Sequence, residues 1–402
     1  MKLGIVSCYF INNYGSILQA YALQEYFSAK GIECDTISVE GLKPYLDAKK
    51  KQYYFRNIHK AGLLFSKLPM ICLKVLQKIN YRNLGTSYSE RVRKFNGFRK
   101  NFKISNKSAS SLKELTELSA MYDMIVVGSD QLWRPDNIFP DYYTLSWVPD
   151  NIPKASYATS FGVADLDRYY KLKAKTFLNR LSAISVRESS GGDLVKELTG
   201  KFPCMVCDPV FLLTKDQWNE LLDTSLCPRK KYIFTYFLGK GKECRKFTEK
   251  LSAVTGLPVL GMIHNDSYIA SDERIDYPIA SCSPNEFLGF ISNAEYICTD
   301  SFHATAFSTI FNKNFFVFNR FKSQKHGTNS RIGSFLRTIG LENRLIANPD
   351  KARDASLNDI DYESVNNKLL LFIKKSHNFI ESEILQGVSG NVQEKNFASQ
   401  LD

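Results

Sequence analysis

Five consecutive residues, Thr299-Asp300-Ser301-Phe302-His303, place a carboxylate, two hydroxyls and an imidazole in one short stretch. Upstream, Asn293 to Cys298 reads as a helix end followed by a short buried strand. Downstream, His303 to Phe311 reads as a helix that runs into a strand over Phe315 to Phe318. A polar cluster at a strand's C-terminal end, opening a helix, is where open parallel sheets bind ligands. The helix start offers free N–H groups and partial positive charge to an anion, and a histidine there can move a proton near neutral pH. The same residues would also serve as a helix cap with a structural histidine, so composition allows both readings.

Other reactive side chains stand at comparable places. Arg187, in Ser185-Val186-Arg187-Glu188, ends an apolar run and could grip a carboxylate or phosphate with two parallel hydrogen bonds, or pair with its neighbour Glu188. Asp130 follows Gly128-Ser129 after the run Met124 to Val127; it could accept hydrogen bonds from hydroxyls, act as their base, or cap a turn. Trp133 could stack on a sugar ring or fill the core. Asn12-Asn13-Tyr14-Gly15-Ser16 links the first strand to the first helix and lacks the Gly-x-Gly-x-x-Gly spacing of a dinucleotide site, so NAD and FAD are not expected. Gly15-Ser16 could still hold a phosphate or a sugar hydroxyl, or form an Asn-rich cap. Arg331, with Lys325 and His326 before it in the polar loop Lys322 to Ser330, could close over an anion or remain a solvated charge cluster.

Taken in order, Asn12-Asn13-Tyr14-Gly15-Ser16-Ile17-Leu18-Gln19-Ala20-Tyr21-Ala22-Leu23, Gly128-Ser129-Asp130-Gln131-x-Trp133, Ser185-Val186-Arg187-Glu188 with Cys207-Asp208-Pro209, and Thr299 to His303 resemble the polysaccharide pyruvyl transferase family. The resemblance runs from about residue 1 to about residue 345. It implies two Rossmann-like halves in the GT-B arrangement and transfer of the enolpyruvyl group of phosphoenolpyruvate onto two sugar hydroxyls, giving a ketal and phosphate. It implies no cofactor beyond that co-substrate and no committed metal site. With that chemistry, His303 and Asp130 are the candidate catalytic residues. Arg187, Ser301, Arg331 and Lys325 form the candidate donor-binding set, and Asn13, Tyr14, Gly15, Ser16, Ser129, Gln131 and Trp133 the acceptor or phosphate loops. Two departures bear on this. Some branches carry Asp-Arg-Leu-His where this chain has Ser301, so phosphate charge must be met elsewhere, and members often have Asn after the tryptophan where this chain has Arg134. Two other functions fit the same fold: a nucleotide-sugar glycosyltransferase and a non-catalytic glycan-binding protein.

The 402 residues are long for one core and suggest two domains. Hydrophobic (44%) and charged (23%) fractions are those of a soluble globular protein. The start is too short and polar for a secretion signal, and no apolar run approaches the roughly 20 residues of a membrane span, so a cytoplasmic location is expected. The nine cysteines, an odd number, suit buried reduced thiols, and Cys204-x-x-Cys207 has no second pair at zinc-site spacing. Residues 41–120 carry 18 Lys+Arg against 4 Asp+Glu, a surplus of 14 in a chain of net +12, so the remainder nets −2. No nucleic-acid motif accompanies this basic segment, and an anionic membrane surface at the inner face is the more economical partner.

Alternating strands and helices predict an α/β fold of two facing, doubly wound parallel-sheet domains: residues 1–212, interrupted by a basic and largely helical insertion at 41–120, and residues 213–360. First-half strands are expected at Leu3–Cys8, Cys34–Val39, Met124–Val127, Ala155–Ala158, Ile184–Val186 and Cys204–Cys207, with a helix over Ser16–Lys30 ended by Gly31. Second-half strands are expected at Tyr232–Phe237, Leu257–Met262, Tyr296–Cys298 and Phe315–Phe318. A last helix, within 361–385, should return to the first domain, and 386–402 reads as a flexible tail.

Overall fold

The short, mainly apolar strands Met124–Val127, Ala183–Val186 and Ile233–Tyr236 are buried along their whole length, because helices cover both faces of a parallel sheet. The computed structural model describes residues 1–57, 82–239, 241–262, 275–320, 328–346 and 359–386. The apolar stretch Ala61–Leu76, Lys325, His326 and the tail beyond Gln386 lie outside these.

In the first domain the order is β1 (Lys2–Val6), α1 (Tyr14–Ala29), β2 (Glu33–Ser38), α2 (Lys43–Arg56), α3 (Arg82–Arg99), β3 (Ile104–Ser108), α4 (Leu112–Ser119) and β4 (Met124–Val127). Then come α5 (Pro135–Ile138), β5 (Lys154–Thr159), α6 (Arg168–Asn179), β6 (Ala183–Val186), α7 (Ser189–Thr199) and β7 (Cys204–Met205). The second domain follows with α8 (Lys215–Asn219), β8 (Ile233–Tyr236), α9 (Lys242–Thr255), β9 (Val259–Met262), β10 (Tyr277–Ile279), α10 (Pro284–Asn293) and β11 (Tyr296–Thr299). It ends with α11 (Phe302–Ile310), β12 (Asn314–Phe318), α12 (Thr328–Ile339), β13 (Leu345–Ile346) and α13 (Tyr362–Phe379), which continues as a π-helical turn over Ile380–Leu385.

The first sheet runs β3-β2-β1-β4-β5-β6-β7 and the second β10-β9-β8-β11-β12-β13, every neighbouring pair parallel. Both are doubly wound orders whose direction of winding reverses between the first strand and the fourth, β1/β4 and β8/β11. The crevices at those two reversals are where the Asn12–Ser16 loop, Asp130 and the Thr299–His303 stretch emerge.

The basic segment differs from the expectation of a helical insertion. Described parts of it form α2, α3 and α4, but Ile104–Ser108 is the edge strand of the first sheet, paired with β2 from Thr36 to Ser38. It was hidden because an edge strand needs only one apolar face, and Ile104 is the single apolar residue among the five. The buried Gln24 amide holds this edge instead, donating to Lys103 O (2.8 Å) and accepting from Lys103 N (2.8 Å). Strands β10 and β13 were missed because one is three residues long with a central proline and the other is only two residues long.

The domains are packed on each other. Tyr14, at the start of α1, is fully buried, stacks on Phe287 of α10 at 4.6 Å and donates to Cys282 O at 3.0 Å. Lys94 of α3 donates to both carboxylate oxygens of Glu286 at 2.8 Å. Helix α13 lies against the first domain, where Ser376 Oγ accepts from Cys207 N (2.8 Å) and His377 stacks on Tyr26 at 5.2 Å. Among the described residues, no helix is long and apolar enough to cross a membrane.

Candidate functional site

Strand β11 delivers the Thr299–His303 stretch, and each member is tied to a different neighbour. Thr299 donates to Tyr236 O at 2.6 Å. Asp300 accepts from the backbone N–H of Leu238 and of Gly239, both at 2.7 Å, holding the turn that leaves β8. Arg320, at the exit of β12, donates to Asp300 O at 2.9 Å. Ser301 is the N-cap of α11, its hydroxyl accepting from Ala304 N at 3.5 Å. These bonds lock the start of α11, and so aim His303.

His303 is only 7% exposed. One edge of its ring lies on Gly15 of α1: a Cβ on that glycine would stand 2.0 Å from Nδ1. Glycine is therefore required by close approach of the two helix starts, not by backbone angles. The other edge faces Asp208, with Nε2 3.5 Å from Oδ2 but without hydrogen-bond geometry to it or to any other described residue.

Asp208 is the meeting point of the two domains. Its Oδ1 accepts from Val210 N (3.2 Å), which caps the turn Pro209–Phe211. Its Oδ2 accepts from Ser129 Oγ (3.0 Å) and from Arg187 Nη1, and faces His303. Burial alone would raise this carboxyl, but His303 and Arg187 prevail and hold it at about 2.

Asp130 leaves β4 with φ +81°, in the left-handed region that non-glycine residues rarely occupy. Its carbonyl accepts from Ser160 N (2.9 Å) in a single bridge to the end of β5, where Ala158 also has positive φ and the register to β6 shifts. This bulge re-aims the strand end. The Asp130 carboxylate accepts from Ser16 Oγ (2.7 Å) and Arg187 Nη2 (3.5 Å), and Arg331 Nη1 of α12 stands 3.7 Å away. Burial opposes ionisation here too, and Arg187, His303 and Arg331 overcome it, keeping the carboxyl well below the ordinary range.

Arg187 is brought to the site, but its fork is already occupied by Asp208 and Asp130, with the guanidinium 4.6 Å over the ring of Phe302. The pairing with Glu188 weighed from sequence is not its contact. Glu188 instead accepts from Ser160 Oγ at 2.6 Å. Arg331 is the under-paired cation: it is buried, its Nε has no partner among the described residues, and burial together with Arg187 lowers it to about 9.

The remaining expected residues divide. Ser16 and Ser129 join the cluster through Asp130 and Asp208. Asn13 caps α1, accepting from Ser16 N at 3.1 Å, and Tyr14 serves the domain interface. Gln131 packs on Gly162, its Nε2 unpartnered among the described residues. Trp133 corrects the stacking expectation: it is wholly buried, with Phe161 at 5.2 Å and Phe177 at 5.5 Å, and offers no face to a ligand. Lys325 lies outside the described residues. Among the described residues, no group of three His, Cys, Asp or Glu could hold a metal ion. Sequence reasoning underrated Asp208 and Glu188. The available signals were an acid before proline at a strand end, and an acid directly after a strand-end arginine.

Solved structures with similar folds include UDP-GlcNAc 2-epimerase from Methanocaldococcus jannaschii in complex with UDP-GlcNAc and UDP (TM-score 0.49, 14% identity, 92% of this chain and 99% of that one). The glycosyltransferase SnogD from Streptomyces nogalater also matches (0.41, 12%, 94% and 95%). So does the ADP-heptose lps heptosyltransferase II of E. coli (0.39, 8%, 92% and 99%). No curated protein matches. The polysaccharide pyruvyl transferase family model matches residues 13–322, a span holding Asp130, Arg187, Asp208 and His303, and the chain belongs to that family.

Proposed function

We propose that this protein transfers the enolpyruvyl group of phosphoenolpyruvate onto two hydroxyls of a sugar in a polysaccharide or lipid-linked glycan precursor, forming a pyruvate ketal and releasing phosphate. Beyond family membership, one observation carries the reading. Two ionised aspartates, two arginines and a histidine from both domains meet at the paired switch points, and several of their buried polar atoms lack partners among the described residues. Such atoms are uncommon in native proteins and mark places where a polar ligand is expected.

The roles follow from the electrostatics. Arg331, buried and under-paired, meets the donor's phosphate or carboxylate. Asp130, held ionised, accepts a hydrogen bond from the attacking hydroxyl. His303 takes that hydroxyl's proton and passes it to the departing phosphate. Arg187 fixes both aspartates. The membrane part of the reading rests on the basic segment: α2 presents Phe55, 73% exposed, beside exposed Lys51 and Arg56. Binding to anionic vesicles at low salt, weakened when those cations are reversed, is expected in a co-sedimentation assay; no binding at low salt would remove the membrane from the proposal.

The donor is tested by thermal unfolding with phosphoenolpyruvate, against UDP and inorganic phosphate. A ligand at about 100 times its Kd stabilises the native state by roughly 2.7 kcal/mol. The expected result is a shift with phosphoenolpyruvate well beyond that with phosphate, and its loss in Arg331→Gln. A shift with UDP alone would favour a nucleotide-sugar glycosyltransferase.

A further inference from the structure

Glu188 is a buried acid that the roles above leave unused. It stands at the exit of β6, next to Arg187, as the residue before α7, and is 2% exposed. Its Oε1 accepts from Ser160 Oγ at 2.6 Å, while Oε2 is buried without a partner among the described residues. Ser160 ties it to the site: the same residue's N–H donates to Asp130 O at 2.9 Å, and its hydroxyl accepts from Gly162 N at 3.0 Å. Gly162 is the surface on which Gln131 rests, and Gln131 Nε2 is likewise unpartnered. An ordinary structural carboxylate at such depth would be paired by a cation. Its chain neighbour Arg187 is spent on Asp208 and Asp130 instead.

We propose that Glu188 is the acid that protonates the methylene carbon of the bound enolpyruvyl group, and, as the resulting carboxylate, the base for the second sugar hydroxyl. This rests on the donor assignment above. In the first half-reaction one hydroxyl oxygen bonds to C2 of the donor, the C2=C3 electron pair takes the Glu188 proton to make the methyl group, and the hydroxyl's proton goes to His303. In the second, the C2–O bond to phosphate breaks, the electron pair leaves with phosphate, and His303 returns its proton to that oxygen. The second hydroxyl then bonds to C2 and gives its proton to the Glu188 carboxylate. Two hydroxyl protons are thereby accounted for, one in the methyl group and one on phosphate, and both residues end as they began.

The surrounding charges fit this division. Burial raises the Glu188 carboxyl above its ordinary value, the nearby charge of Asp130 adds to this, and Arg187, Arg331 and the Ser160 hydrogen bond only partly offset it. Asp130 is driven the opposite way. Two carboxyls pushed apart by their surroundings are the pattern of an acid and an ionised partner working together.

The test is phosphate release from phosphoenolpyruvate with a mixture of hexose glycosides, followed against pH. Wild type should lose activity on an alkaline limb as Glu188 deprotonates. Glu188→Gln should lose about 100-fold or more in turnover, with that limb absent from the residual activity and thermal stability retained. Ser160→Ala provides a second readout. The Ser160 bond favours the carboxylate, so removing it raises the Glu188 value further and should move the alkaline limb to higher pH. Wild type that turns over while Glu188→Gln stays within about threefold of it with the limb unchanged overturns this inference and leaves the donor assignment standing. If Glu188→Gln does not fold, an unmoved limb in Ser160→Ala overturns it. No phosphate release by wild type would remove the donor assignment and this inference together.

Discussion

Gly15→Ala should reduce turnover by about 100-fold or more while leaving a folded protein. The added methyl would stand 2.0 Å from His303 Nδ1, 2.4 Å from Cγ and 2.8 Å from Cε1. No imidazole tolerates such contacts, so something must move. Ser301 and Asp300 lock the backbone beneath His303, which leaves two outlets: the ring swings away from Asp208, or α1 and α11 separate and the domains part. Either displaces a proton-moving group by about an ångström, a shift that can cost about 10²-fold. Overpacking of this kind also destabilises by about 1–3 kcal/mol. Steady-state turnover at saturating donor, with thermal unfolding as the check on folding, decides the matter. Turnover near that of wild type would show that His303 is not held where the reaction needs it.

Asp208→Asn should be the most destabilising conservative change in the site, by about 3–5 kcal/mol at neutral pH. Asparagine keeps the shape and the bond from Ser129 but leaves Arg187 and His303 facing each other without the intervening charge. The pH dependence gives a second, independent readout. The folded carboxyl is held at about 2, below the ordinary carboxylate value. Its contribution is therefore fully present above that ordinary value and disappears as pH falls through about 2. Denaturant unfolding of wild type and variant should accordingly differ most near neutrality and converge in acid. A constant difference across that range would mean that the lost stability comes from packing and not from the charge.

The central elements were legible because each obeys one strong rule. Met124–Val127 and Tyr296–Thr299 were found within a residue of their bounds, since a strand buried on both faces is an apolar run. Edge strands obey no such rule. Ile104–Ser108, Tyr277–Ile279 and Leu345–Ile346 are polar, short or interrupted by proline, and only their pairing with a neighbour makes them strands.

For the site, the sequence by itself determined the kinds of group available and the strand ends at which they emerge. Asp130, Arg187 and His303 were each identified from residue type and from position after an apolar run, because a doubly wound sheet exposes ligand-binding loops only there. Partnership was decided by tertiary structure. Arg187 has Glu188 beside it in the chain, yet its fork is filled by Asp208 and Asp130, which arrive from other strand ends. Trp133, three residues from Asp130, is turned wholly into the core. Gly15 reads locally as a loop residue, and only the approach of a histidine nearly three hundred positions away shows what its missing side chain is for. Charge and hydrogen-bonding capacity belong to a residue type and travel with the sequence. Whether a group is ionised, paired or left free depends on burial and on neighbours that meet only when the two sheets close on each other.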